Sequence, residues 1–393
     1  MRKSLKIRLA LNNKQETMMF QHCGVARHAW NWGLALCKER RKNKEKLLSA
    51  IDLHKLLVKD VKPINQWYYN SSKCAPQEAL RNLRKAYNIF FKEFKNGTIK
   101  KKKDAYIRKC KKKGRPINEA VLHDIGKPKF KKKGKRDSFY LEGSVKLAGN
   151  KIKLPRIGWV RCAELLPDIE IKNVTVSRTA NQWFVSFKVP YTPIVTKKRV
   201  DLVGVDLGIK TLATLSTGES FENLKPFKKY KRKLKLAQRS VSKKLDKTKK
   251  VQSNNYHKAA MRVAKIHQQI ANIRKDAMHK LTTYLSKNHA EIVIEDLNVK
   301  GMMKNKNLAN AIADGAFYEF RRQLEYKTKW YGSKLTVINR FYPSSKTCST
   351  CGNVKQDLKL SDRTYNCKCC GHSQDRDLNA AINIKKQSAS YAA

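Results

Sequence analysis

The sequence predicts a multidomain α+β protein, and three observations carry that expectation. Short β runs crowd residues 137–191, and two helical segments with apolar stripes come before them. Beyond residue 200, strands and helices alternate as in an α/β sheet, and five of the ten cysteines gather at 348–370. The chain's 393 residues leave room for two or three cores.

Charge narrows the partner. Lys and Arg number 87 against 31 Asp and Glu, a formal net charge of +56. Such an excess repels itself in a compact state unless a polyanion supplies the counter-charge. Charge spread along the whole chain points to nucleic acid rather than to a lipid surface. Met1 to Lys6 has basic residues but no apolar signal-peptide core behind it, and no run of about 18 apolar residues occurs. A soluble, cytoplasmic protein with no membrane partner is expected.

Residues 3–10 largely alternate polar and apolar and read as a strand that joins the later β runs. Gln15 to Leu48 is helical, with Met19, Cys23, Ala26, Ala29, Trp30, Gly33 and Cys37 three or four apart. Trp30 and Trp32 suit core packing, with one free to stack on a base. Pro76 to Phe94 is a second helix, closing before Asn96-Gly97. Residues 98–136 carry two dense Lys/Arg runs between Gly and Pro turns and read as a solvated loop that tracks phosphates. Six runs follow, at 138–141, 144–147, 151–154, 158–161, 169–176 and 183–189, with the spacing of a small barrel or sandwich. Pro190 to Arg199 reads as a linker.

The second half opens on Val203-Gly-Val-Asp-Leu-Gly-Ile209, a strand that delivers Asp206 to its end, followed by a second strand at 210–215. Leu234, Ala237, Val241 and Leu245 mark one helix, and Val263 to Leu285 another. The polar linker at 246–255 allows a helical hairpin. A strand at 291–296, a helix over 311–330 and a strand at 334–339 complete a sheet domain.

Two constellations carry chemistry. Cys348-Ser-Thr-Cys351 and Cys367-Lys-Cys-Cys370, each followed by glycine, match a four-thiolate structural zinc ribbon. Cys369 competes by one register, but Cys370 completes the C-x-x-C-Gly turn. The second set is dispersed: Asp206 and Glu295 at strand ends, and Asp377 in Asp375-Arg-Asp377-Leu at a helix start. Taken singly, each suits a turn, a strand terminus or a cap. Together they can converge on a pair of Mg²⁺ ions, which prefer carboxylate oxygens and support phosphodiester hydrolysis. Gly204 and Gly208 then read as room for a phosphate to approach.

Gly204-Val-Asp206-Leu-Gly-Ile-Lys-Thr-Leu-Ala, Ile294-Glu295-Asp-Leu, Cys348-Ser-Thr-Cys-Gly, Leu360-Ser-Asp-Arg-Thr-Tyr-Asn-Cys367 and Asp375-Arg-Asp377-Leu-Asn-Ala-Ala-Ile-Asn-Ile resemble the TnpB family of transposon-encoded, RNA-guided DNA endonucleases. The opening, with Lys6-Ile-Arg-Leu and Arg27-His-Ala-Trp-Asn-Trp, is similar as well. The resemblance implies a RuvC/ribonuclease H-like nuclease domain over 200–393, with a helical hairpin insertion at 226–289 and a zinc ribbon at 345–373. It implies a β-barrel wedge domain from 1–12 and 135–195, interrupted by a helical recognition lobe at 13–134. It also implies catalysis by Asp206, Glu295 and Asp377 with two Mg²⁺ ions and one structural zinc. The choice of Asp377 over Asp375 rests on the family pattern. The implied partners are a guide RNA and a double-stranded DNA target beside a short adjacent motif, in a prokaryotic cytoplasm. Lys346 and Arg363, flanking the ribbon, are candidates for holding the DNA strand. Gln374 departs from the family, which often has His there. The other reading is a guide-directed DNA-binding protein or repressor without cleavage.

Overall fold

The computed structural model describes residues 1–246, 248, 251–359 and 361–388. The chain divides into two compact units, one of Arg2–Pro190, the other of Met1 with the residues from Tyr191 onward.

In the first unit, β1 (Arg2–Ala10) leads into α1 (Asn13–Lys42), α2 (Ala50–Leu56), α3 (Cys74–Lys95), α4 (Thr98–Lys112) and α5 (Glu119–His123). Six strands follow: β2 (Ser138–Glu142), β3 (Lys146–Ala148), β4 (Lys151–Leu154), β5 (Gly158–Cys162), β6 (Asn173–Thr179) and β7 (Gln182–Pro190). A capping box starts α1: the Asn12 side chain accepts from the Gln15 amide at 2.8 Å, and Gln15 accepts in return from the Asn12 amide at 3.2 Å. The helix buries the stripe from Met19 to Cys37. At Gly33, α3 comes so close that an added Cβ would lie 2.7 Å from Leu80. Trp30 is buried and donates through Nε1 to the Lys129 carbonyl at 3.0 Å.

The strands form one antiparallel sheet in the order β2-β6-β7-β1-β5-β4-β3, so the strand at the start of the chain does join the later ones. Its outer strands, β2 and β3, share no ladder among the described residues, so hydrogen bonds do not close it into the expected barrel. The run expected from 169 becomes a strand only at Asn173. The basic segment 98–136 also differs from the expected loop, because 98–112 is helical. Gly97, at φ 72°, turns the chain, and Ile99 and Cys110 give α4 buried anchors. Lysine is itself a good helix former.

The second unit opens with β8 (Val200–Leu207), β9 (Thr211–Leu215) and β10 (Ser220–Glu222). The hairpin α6 (Pro226–Lys244) and α7 (Asn254–Asn288) follows, and then β11 (His289–Glu295). Next come α8 (Val299–Met302), α9 (Ala309–Gly315), α10 (Phe317–Tyr331) and β12 (Lys334–Ile338). The small hairpin β13 (Thr364–Asn366) and β14 (Ser373–Asp375) leads into α11 (Arg376–Gln387). The sheet order is β10-β9-β8-β11-β12; β8 to β10 is an antiparallel meander, and β11 runs parallel to both β8 and β12. Leu234, Ile266 and Ile270 pack between the arms of the α6–α7 hairpin. Residues 247, 249 and 250 of its expected linker lie outside the described residues.

Two expectations change here. The helix expected over 311–330 is broken at Ala316, whose φ is 48°. Beside the break, the buried Asp314 accepts from Arg274 at 2.6 Å and from the Phe227 amide at 3.0 Å, which ties the helical hairpin to this corner. The segment 190–199, read as a linker, is anchored instead: Ile194 donates to the Trp330 carbonyl at 2.8 Å. The Lys198 ammonium donates to the Ser286 and Tyr331 carbonyls at 2.9 and 2.7 Å.

Candidate functional site

Strand alternation decides which side chains meet on the sheet of the second unit. Val203 and Val205 of β8 and Ile292 and Ile294 of β11 enter the core with α7 and α10. Their neighbours point the other way. On that opposite face, Val293 packs with Ile384 of α11. Two residues beyond Val293 comes Glu295, and two beyond Gly204 comes Asp206. The strands are in register at Val293↔Gly204 and Ile294↔Val205, so Asp206 and Glu295 come side by side at the next position.

Helix α11 crosses this face at Gly204. A Cβ built there would lie 2.1 Å from the Ala381 carbonyl oxygen and 2.5 Å from the Lys385 amide. Gly204 is therefore glycine so that helix and strand can touch, and at Gly208 a Cβ would meet the Thr211 carbonyl at 2.8 Å. Neither is open space for a phosphate, contrary to the expectation from sequence. One turn toward the helix start from Ala381 stands Asp377. The cap is Asp375, whose side chain accepts from the Asp377 and Leu378 amides at 2.9 and 3.0 Å. The Asp377 carboxylate takes no part in the cap and accepts from the Arg376 guanidinium at 2.9 Å.

Electrostatics links the three acids. Part of Asp206 reaches solvent, yet protein crowds its carboxyl and raises its pKa to about 7. Burial is the first cause, then the charges of Glu295 and Asp377, with Arg376 and the Leu207 amide opposing. Glu295 is also pushed up by burial, against a hydrogen bond from the Ser344 hydroxyl. Anionic groups held together in this way favour a cation, and their oxygens suit a hard divalent ion. Among the described residues they do not close into a ligand cluster; only the four cysteines do.

The Sγ atoms of Cys348, Cys351, Cys367 and Cys370 lie within 4.8 Å of one another. Cys348 to Cys370 is 3.7 Å, and Cys351 to Cys367 is 3.6 Å. A tetrahedron with Zn–S bonds of about 2.3 Å has edges of about 3.8 Å, so the thiols fit zinc. Gly352 and Gly371, at φ 77° and 71°, close the two knuckles, and their amides donate to the Cys348 and Cys367 carbonyls. Cys369 is exposed and outside the cluster.

Lys346 is half-buried at the start of the ribbon, its ammonium 3.4 Å from the Gln356 carbonyl. Arg363 is exposed, and its carbonyl accepts from the Arg376 amide at 2.8 Å, one residue from Asp377. Leu360, part of the motif around Arg363, lies outside the described residues. Gln374 bonds His372 at 3.1 Å.

Sequence reading missed the polar ladder joining ribbon to helix. Asn379 and Asn383, buried on α11, donate to the Thr347 carbonyl at 2.8 and 2.6 Å. Asn383 also donates to the Ser344 carbonyl at 2.8 Å, and Asn379 accepts from the Ser349 amide at 2.8 Å. The available signal was two asparagines four apart on the otherwise apolar inward face of a helix.

Comparison with known proteins covers both units. A family described as "Probable transposase" matches residues 185–306, and "Cas12f1-like, TNB domain" matches 317–384. A "Helix-turn-helix domain" family matches 1–46, although the structure there has one strand and one uninterrupted 30-residue helix. The chain is 32% identical to "Putative RNA-guided DNA endonuclease InsQ" of Escherichia coli (strain K12), over 97% of this chain and 91% of that protein. It is 39% identical to a protein of Streptomyces pristinaespiralis with the same name apart from the InsQ suffix, over 78% of this chain and 69% of that one. A "TnpB-like protein L79" of Acanthamoeba polyphaga mimivirus is 30% identical over 48% of this chain and 38% of its own. Similarity that runs through nearly the whole length of a relative, with the acidic and cysteine motifs in place, makes this chain a member of the TnpB family.

Proposed function

We propose that this protein is an RNA-guided DNA endonuclease, with a guide RNA and a double-stranded DNA target as its partners. The observation that carries the reading is the placement of Asp206 and Glu295 on the sheet face that α11 covers, with the charge of Asp377 acting on Asp206. The order β10-β9-β8-β11-β12, an antiparallel meander followed by two parallel strands, supports a RuvC/ribonuclease H-like domain. The net charge of +56 suits a protein that holds an RNA and a DNA strand through their phosphates, leaving sequence readout to base pairing.

In this reading Asp206, Glu295 and Asp377 are the metal ligands and catalytic residues. Two Mg²⁺ ions held there would activate water and stabilise the leaving oxygen of a phosphodiester. The residues of the chain do the positioning. Ser344 orients Glu295, the Asp375 cap fixes the first turn of α11, and Arg376 holds the Asp377 carboxylate. Lys346 and Arg363 hold the DNA strand, and the four cysteines hold one structural zinc that keeps the ribbon against α11.

Purified with its co-purifying RNA, the protein should cut a matched plasmid in Mg²⁺, and sequencing that RNA should give the guide. Asp206→Ala should retain the RNA and lose all cutting. Undiminished Mg²⁺-dependent cutting by that variant, or cutting by an RNA-free preparation, would overturn the reading.

A further inference from the structure

Beside Glu295, at the end of β11, lies a cavity of about 370 Å³ that the catalytic reading leaves without a role. Its floor is apolar, with Ile294 and Phe320, and its rim carries the exposed Tyr318. Arg321 and Arg340 line its wall and lean on a single carboxylate, that of Asp296. Arg321 Nη1 donates to Asp296 Oδ1 at 2.5 Å and Arg340 Nε to Oδ2 at 2.9 Å, with Arg340 Nη2 also on Oδ2. Arg321 Nε bonds Glu325 at 3.3 Å. Arg321 Nη2 and Arg340 Nη1 take no protein partner among the described residues, and both side chains are 42% exposed.

Two guanidiniums side by side repel one another and would splay apart. Asp296 neutralises one of the two charges and occupies the inner donors of both groups. A fixed pair of outward N–H groups remains; with Glu325 also on Arg321 the cluster is balanced, and Lys300, which lines the same cavity, supplies the positive charge. A planar fork of this kind suits the oxygens of a phosphate better than a lysine would. The cavity is within the range that takes a small ligand, and its apolar floor with an aromatic rim suits a base.

We infer that this cavity is a subsite for one nucleotide of the strand being cut: its phosphate rests on the Arg321–Arg340 fork and its base stacks on Tyr318. Asp296 is a positioning residue that pre-forms the fork. The inference rests on the endonuclease reading and adds to it where the strand lies relative to Glu295. A backbone phosphate clamped next to Glu295 would bring its neighbour over Asp206.

The test is a walk of single neutral methylphosphonates along the cleaved strand, read as single-turnover rates of the RNA-loaded protein. At one position near the cut, the substitution should slow the wild type about tenfold to a hundredfold, the usual range for one charge-assisted contact. Arg340→Gln should slow the natural strand by a similar factor and add nothing on that modified strand. Unchanged thermal midpoints keep the comparison free of misfolding, and Arg321→Gln repeats it if Arg340→Gln folds poorly. Independent slowing at every position would overturn the fork. A second measurement needs no cutting: 5-iodouracil walked along the strand in RNA-loaded Asp206→Ala should photocrosslink to Tyr318 from the same nucleotide. Crosslinks that map only elsewhere would also overturn it. Failure of the endonuclease reading looks different, since the wild type would then leave even the natural strand intact.

Discussion

Asn383 donates to the Ser344 carbonyl at 2.8 Å, and the hydroxyl of that same serine donates to Glu295. Two bonds thus run from the C-terminal helix, through the start of the ribbon, to an acid at the far end of a strand. The ladder of Asn379 and Asn383 is buried, so each of its bonds forms where water cannot replace it.

Asn383→Ala leaves the Ser344 and Thr347 carbonyls without this donor, which should cost about 1–3 kcal/mol of stability. Cleavage should fall much further than RNA binding, because Ser344 no longer holds Glu295. Zinc content should remain one per chain, since no cysteine is touched. Equal losses in RNA retention and cleavage, measured by filter binding and plasmid cutting, would place the effect outside the ladder.

Cys370→Ser and Cys369→Ser separate the two registers. The Sγ of Cys370 lies 3.7 Å from that of Cys348, whereas Cys369 is outside the cluster. Elemental analysis should find zinc lost from the first variant and kept by the second. Chelation of the wild type should unfold the ribbon locally, because the metal supplies the folding energy of so small a hairpin. Zinc retained by Cys370→Ser would contradict the assignment.

Gly204→Ala is expected to be far more harmful than its one added carbon suggests. The new Cβ would sit 2.1 Å from the Ala381 oxygen, and backbone cannot rotate away as a side chain can. The helix must move, at a cost of roughly 1–3 kcal/mol or more. Denaturant unfolding should show the loss, and cutting should fall with it as Asp377 is carried off. A variant of unchanged stability would mean that α11 does not lie against Gly204.

Asp206 sets a pH dependence. Its folded pKa of about 7 lies above the ordinary 3.8, so between those values the folded protein binds more protons than the unfolded chain. Stability from this group is therefore greatest at acid pH and is lost as pH rises from about 4 to about 7. The loss is on the order of 4 kcal/mol at 1.36 kcal/mol per pKa unit. In metal-free protein, the thermal midpoint of the wild type should fall across that window relative to Asp206→Asn, and Mg²⁺ should restore it. Parallel profiles for the two proteins would sink this account.

The sequence made local periodicity legible. The stripe from Met19 to Cys37 and the α6–α7 hairpin follow from residue spacing alone, as do the two C-x-x-C knuckles. What stayed hidden depends on partners distant in the chain. The lysine-rich α4 looks like a solvated loop until Ile99 and Cys110 find their core. The helix break at Ala316 lies beside Asp314, which is bonded to residues on α6 and α7. Gly204 invites a phosphate only while α11 is out of view. Asp375 and Asp377 are alike in local pattern, and the structure shows Asp375 spent on the cap.

Because Gly204 admits α11 and nothing bulkier, the acidic centre cannot be finished until its last element has been made. Asp206 emerges from the ribosome early and Asp377 only after the hairpin, the strands β11 and β12 and the ribbon have followed. A chain stalled anywhere in that interval carries the basic residues of the first unit and the first acid but lacks the third. On the proposed ligand set, such a chain would hold RNA through its basic residues without the third acid that cutting needs.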